Sequence, residues 1–275
     1  MTLLLAALLQ VGPFGTTPAP SAPPRPSAAA QAVPTEIRPR SRLEFCLDAA
    51  ASSPVDAIDD AEGWRDVTKG PAQAEPLLCL GSAHARLEHW AEAEQAFLAG
   101  RDAAAAGDSA MRAKLGAMAG NAALAQNASE RALGLLDAAS VAAAATDDLR
   151  LAGEIAIDRA RALVALKRDD EAAKALVEAR TSAADNALAW LLSATLSRRQ
   201  GKLAAAQAQI ATAADLAPRD AEIGLEAGVI AMLAGNEAAA RLSWQSAIDT
   251  APASEAARAA RGYLAQLGPA PQNTP

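Results

Sequence analysis

Small and apolar side chains recur along the C-terminal half of the chain in a fixed frame. Ala206 and Ala240, Ile210 and Trp244, and Ala213 and Ala247 each stand 34 residues apart. Polar and turn-forming residues keep the same step: Asn186, Asp220 and Ser254 are capping residue types, Gly201 and Gly235 mark breaks, and Pro218 and Pro252 close each period. Asn, Asp and Ser accept from the free N–H groups that open a helix, and glycine takes the left-handed backbone that ends one. Periods 187–220 and 221–254 therefore each predict two helices joined by a tight turn at the glycine. Past Ser254, the residues Ala257, Ala260, Leu264 and Leu267 share one stripe with Arg258 and Arg261 offset from it, which predicts a further helix over 255–267.

Looser copies of the frame precede these two. From Ala74, the positions read Leu77, Leu80, Gly81 and His84, then Ala93, Phe97 and Gly100. A second copy, starting near Ala113, reads Gly116, Ala119, Gly120, Ala123, Ala132, Leu136 and Ala139; a third reads Ala156, Arg159, Ala160, Leu163, Ala172, Leu176 and Ala179. Five extra residues around Asp108 to Arg112 and six around Asp147 to Ala152 separate the copies. Asp108/Ser109 and Asp147/Asp148 are N-cap candidates, so these insertions are expected to lengthen the first helix of each copy at its start.

This pattern, with its Leu80-Gly81 dipeptide, resembles the tetratricopeptide repeat family over 181 residues, from Ala74 to Ser254. The resemblance implies an all-α fold: a right-handed helix-turn-helix solenoid of about five units over 73–254, where each unit buries its apolar face only by stacking on its neighbours. The helix over 255–267 then caps the last unit. Upstream, residues 42–51 and 55–69 predict an N-terminal helical pair within 42–72, either a degenerate unit or a cap. Ser53-Pro54 supplies a cap and a first-turn proline there, and Trp64 reads as a core anchor.

The chain has 78 alanines and only eight Phe, Tyr or Trp among 275 residues, a balance that favours close-packed helices over strands. Eight of the sixteen prolines fall between Pro13 and Pro39 and none between Leu77 and Ala217, which separates a leader from a body. The net charge of −7, with no Lys/Arg run interleaved with aromatics, argues against nucleic acid as a partner. Arg38/Arg40/Arg42 and Arg198/Arg199 read as solvated faces.

Residues 1–11 are apolar and open a signal-like segment over 1–20, well short of the ~20 apolar residues that a spanning helix needs. It reads as an export signal, with a frayed N-terminal helix as the alternative. No transmembrane helix is expected in the mature chain. The Pro/Ala/Ser/Thr-rich run that starts at residue 12 continues as a disordered linker over 21–41, and 268–275 reads as a disordered tail.

Cys46 and Cys79 are the only thiols. They suit a disulfide in an oxidising compartment or, alternatively, two buried thiols acting as small hydrophobes. Cys79, His84 and His89 are spaced by five, which turns helical neighbours about 140° apart and argues against a shared metal. No phosphate loop, zinc-protease helix or nucleophile elbow occurs, so no catalytic, cofactor-binding or metal residue is expected. Asn127-Ala-Ser129 fits a glycosylation sequon and is assigned no role.

The resemblance implies a concave partner surface lined by first helices. Carried over by alignment, its candidates are Asn121, Leu124, Arg161, Val164, Leu188, Leu191, Thr195, Arg198, Leu225, Val229 and Met232, unless part of this stripe packs against the neighbouring helix. The end near the last two units is apolar with Arg161 and Arg198 beside it, suiting a peptide or amphipathic helix with apolar and acidic residues. Family members that clamp the carboxylate tail of heat-shock chaperones pair Lys with Asn across adjacent first helices. Here Asn121 stands alone and the lysine positions carry Leu78, Ala117, Ile157, Leu191 and Leu225, so that specificity is not expected. The expectation is a non-enzymatic scaffold, periplasmic or otherwise exported, binding a protein or peptide in its groove. The alternatives are an assembly component that self-associates through its ends, and an inner-membrane-anchored or cytoplasmic location; oligomeric state is left open.

Overall fold

Alanine-rich segments become helices across residues 39–268, the part that the computed structural model describes, and the helices Ser109–Ala125, Leu149–Ala165, Ala187–Arg199 and Ala221–Leu233 each open on a capping side chain and end at a left-handed residue. Among the described residues there are thirteen α-helices and no strand. An N-terminal pair, α1 (Arg42–Ser52) and α2 (Pro54–Val67), leads through a 3-10 turn at Gly70–Gln73 into five helix pairs. These are α3 (Ala74–Arg86) with α4 (Trp90–Ala103), α5 (Ser109–Ala125) with α6 (Ser129–Ala143), and α7 (Leu149–Ala165) with α8 (Asp169–Ser182). Then come α9 (Ala187–Arg199) with α10 (Leu203–Leu216), α11 (Ala221–Leu233) with α12 (Glu237–Thr250), and the single α13 (Glu255–Leu267). Each first helix packs on its own second helix and on the second helix of the preceding pair. The signal-like segment, the linker as far as residue 38 and the tail beyond residue 268 lie outside the described residues.

The two insertions sit at helix starts. α5 and α7 have 17 residues against 13 in α3, α9 and α11. Asp108 Oδ1 accepts from Met111 N at 3.0 Å and Asp148 Oδ1 from Leu151 N at 2.9 Å, so each insertion brings its own cap. Asn186, Asp220 and Ser254 cap α9, α11 and α13 in the same way. Two expectations near the N-terminus change. Ser53 occupies the position before Pro54 but its side chain makes no capping bond. Ser41, expected to end the linker, instead opens α1: its Oγ accepts from Glu44 N at 3.1 Å while Glu44 Oε2 accepts from Ser41 N at 2.6 Å.

The five turns inside the helix pairs α3/α4 to α11/α12 share one hydrogen-bond scheme. Gly201 N donates to Arg198 O and Lys202 N to Ser197 O, and the same pair of bonds recurs at 88/89, 127/128, 167/168 and 235/236. This is the Schellman termination, which needs one left-handed residue. Glycine fills that place at Gly201 (φ 74°) and Gly235 (φ 78°), whereas Glu88, Asn127 and Lys167 fill it in the first three units at φ 60°, 60° and 61°.

Between paired helices the approach is close. A Cβ added at Gly81 would meet Phe97 Cδ1 at 2.5 Å, one at Gly120 would meet Leu136 Cγ at 2.6 Å, and one at Gly228 would fall on the indole of Trp244. Where the opposite residue is Leu176 or Ile210, the same place holds Ala160 or Ala194. At the N-terminal end Cys46 of α1 and Cys79 of α3 are placed as a disulfide pair with Cα atoms 5.9 Å apart. They lie among Ala50, Ala57, Ala61, Trp64 and Leu80, so α1 and α2 bury the face that α3 would otherwise expose.

Candidate partner groove along the first helices

Neighbouring first helices touch along the array, α3 against α5, α5 against α7 and α9 against α11. Two openings lie along them. The larger, about 520 Å³, is lined by Trp90 and Phe97 from α4, Met118, Asn121 and Leu124 from α5, and Arg161 from α7. The smaller, about 180 Å³, is lined by Arg161 and Val164 from α7, with Leu192, Thr195, Leu196 and Arg199 from α9. Arg161 belongs to both.

Polar pairs cross between adjacent first helices along the same stripe. Asn121 Nδ2 donates to Asp158 Oδ2 at 2.7 Å, tying α5 to α7. Burial pushes the Asp158 carboxyl above the ordinary aspartate range; the Asn121 hydrogen bond and the Arg161 charge pull the other way, and Glu154 adds to the rise. Arg161 Nη1 stands 3.5 Å from Asp158 Oδ1, a loose contact for an ion pair, and the Arg161 side chain is 58% exposed. Further along, Arg198 Nε donates to Glu226 Oε1 at 2.6 Å and Arg198 Nη2 to Glu226 Oε2 at 3.3 Å, a two-point bond from α9 to α11.

No protein-family model matches the chain, and no curated protein matches it in sequence. In three dimensions it is similar to PilW, a widely conserved type IV pilus biogenesis factor, at 13% identity and a TM-score of 0.64 over 80% of this chain and 99% of that one. It is similar to BtubC from P. vanneervenii at 14% identity and a TM-score of 0.60, over 86% of this chain and 97% of that one. The apo form of the quorum sensor NprR from B. thuringiensis matches at 13% identity and a TM-score of 0.61, over 82% of this chain and 69% of that one. At such identities the likeness speaks for the fold. The fold is a tetratricopeptide-repeat solenoid.

In the tetratricopeptide frame the fifth residue of each unit is Leu78, Ala117, Ile157, Leu191 or Leu225. The first four are buried, and Leu191, 6% exposed, packs with Ala194, Ala206, Ile210 and Ile230. Its place on the open surface is therefore corrected to the core. Leu225 and Val229 are partly buried against the cluster of Trp244, Ala256 and Ala260, because α13 covers that end. Arg198 is corrected too: its guanidinium already holds Glu226, so a ligand carboxylate would have to displace that pair. Asn121, Leu124, Arg161, Val164 and Thr195 come together at the two openings. Leu188 at 42% and Met232 at 36% exposure stand open on α9 and α11.

Trp90, Met118, Asp158 and Glu226 were not singled out in the sequence. Trp90 opens a second helix, α4, and so lies off the first-helix stripe. Asp158 and Glu226 carry a signal, each an acidic residue within reach of an Arg already named. The expected solvated arginines are also more engaged than their pattern suggests: the Arg42 guanidinium lies 4.6 Å from the centre of the Trp64 ring and Arg40 pairs with Asp48. Cys79 faces Cys46, and the His84 and His89 rings lie 5.9 Å apart. Burial lowers the His84 pKa, and its Nδ1 is buried without a partner. Among the described residues no group of three His, Cys, Asp or Glu is placed to hold a metal ion, and no helix is long and apolar enough to cross a membrane.

Proposed function

We propose that this protein is a non-enzymatic interaction scaffold that holds a segment of a partner protein against its first helices, and that it works after export to the cell envelope. The observation that carries the groove is the pair of adjoining openings whose walls come from α4, α5, α7 and α9 and meet at Arg161. A surface assembled from several repeats suits one extended polypeptide better than a small metabolite, which needs enclosure. Leu124→Asp and Val164→Asp put charge into the two openings, while Val141→Asp changes an exposed residue of α6. Capture of the cellular partner should be lost in the first two and kept in the third; equal capture by all three would remove the groove.

Export is supported by the apolar run over 1–11 and by the Cys46–Cys79 pair, since disulfides persist in oxidising compartments. The intact mass from native cells, taken without reductant after thiol blocking, should lack the leader and carry no blocked thiol. A full-length mass with both thiols blocked would overturn the export reading.

A further inference from the structure

The groove's polar groups say what kind of segment it takes, and the following rests on the groove reading above. Asp158 is a carboxylate that can only accept from Asn121 when ionised, so the Asn121 amide must turn its Nδ2 toward it. That orientation leaves Asn121 Oδ1 as the free end, and this oxygen, on a residue that lines the larger opening, is buried without a partner. A buried acceptor left unpaired is costly, and it is satisfied by one N–H donor. An extended backbone offers such a donor, whereas a helix consumes its own N–H groups internally.

Charge adds a second constraint. Of the cations along the stripe, Arg198 is held at two points by Glu226, while Arg161 is mostly exposed and only loosely placed against Asp158. Arg199 lines the smaller opening beside it. In a chain whose net charge is −7, this is a local cationic spot set between two apolar hollows. A guanidinium with unfilled donors binds a carboxylate through two parallel N–H···O bonds.

We infer that the groove binds an extended, acidic–apolar peptide segment: a carboxylate side chain on Arg161, a large apolar side chain in the hollow beside Trp90 and Met118, a smaller one in the hollow beside Val164 and Leu192, and a backbone N–H on Asn121 Oδ1. Neighbouring helices lie about 8–10 Å apart and an extended chain advances about 3.3 Å per residue. The two apolar residues therefore stand roughly two to three positions apart with the acidic residue between them.

The test is selection from a library of short, acetylated and amidated random peptides on the immobilised full chain and on its Arg161→Glu variant. Selected peptides should carry Asp or Glu between two apolar residues at that spacing. Arg161→Glu should weaken the selected peptides about tenfold or more and should select Lys or Arg in their place. Methylating the critical backbone nitrogen should weaken binding to the native chain but not to Asn121→Leu. Arg161 is exposed, so an unchanged far-ultraviolet circular dichroism spectrum is expected for its variant. If Arg161→Glu selects the same acidic peptides, or if the selected peptides lack an acidic residue while Leu124→Asp still abolishes their binding, this chemistry is wrong and the groove stands. If no groove substitution alters capture, the groove reading falls with it.

Discussion

Gly228 faces the indole of Trp244, whose Nε1 donates to the Leu225 carbonyl at 3.2 Å. A larger residue at 228 must push that ring out of a core in which Trp244 is buried, so Gly228→Leu should cost about 1–3 kcal/mol by overpacking. Denaturant titration reads this, and a variant as stable as the native chain would show that the α11–α12 pairing is misplaced. The need for a small residue there was legible, because Gly228 and Trp244 share the frame of Gly81 with Phe97 and Gly120 with Leu136. The fate of Leu191 was not: an apolar residue on a first helix can face either the groove or the next helix, and the sequence does not say how far each helix is rotated. The burial of Asp158 was not legible for a similar reason, since it depends on how α5 and α7 meet. The folded chain holds the Asp158 proton more tightly than the unfolded chain does, so this group lowers stability as pH rises through its titration above the ordinary aspartate value. Asp158→Asn removes that slope. Melting of the two proteins, compared at each pH from about 4 to about 7, should show the variant gaining on the native chain as pH rises. A constant difference would contradict the burial of this carboxyl. The comparison cancels the opposite contribution of His84, whose lowered pKa costs stability on acidification.

At the level of the helix pair, the repeat imposes a left-handed residue at each turn whether or not glycine is there. The sequence marks it at Gly201 and Gly235 and hides it at Glu88 and Lys167, where the two Schellman bonds and the packing of both helices hold the strained residue in place. Asn127 is an intermediate case, since asparagine tolerates this conformation better than most residues; the sequon-like Asn127-Ala-Ser129 has this structural reason. Lys167→Gly should stabilise the chain by up to about 1 kcal/mol and Gly235→Ala should destabilise it by a similar amount. Thermal denaturation checks both signs, and destabilisation by Lys167→Gly would contradict the turn geometry. The N-terminal pair depends on a different device. α1 packs chiefly on α2 and α3, and the Cys46–Cys79 pair closes a 33-residue separation across that contact. Replacing both cysteines with alanine should cost about 3–4 kcal/mol in the chain-entropy account. Amide exchange in α1 and α2 should then accelerate before that in α7 to α10; uniform acceleration along the array would show that the pair is not a separately held cap. Cysteine count and spacing made the pair a candidate, but the choice between a bridge and two buried thiols needed the approach of α1 to α3.

Across the whole molecule, the 34-residue frame carried most of the architecture, because in a stacked array each unit meets only its neighbours and local pattern determines global form. The groove was legible only as a stripe. Which part of it opens depends on the covering of Leu225 and Val229 near α13 and on the closure of Arg198 by Glu226, and for these reasons the proposed groove centres on Arg161 and not on the last two units. The central claim is that the partner lies along α5, α7 and α9. The most direct measurement places a photo-crosslinking residue at Leu124, at Val164 or at the exposed Val141 of α6 in the full chain, and irradiates it in native cells. Adducts with one shared partner from positions 124 and 164, and none from 141, are predicted. An adduct from 141 with nothing from 124 or 164 would place the partner on the second helices and contradict the account.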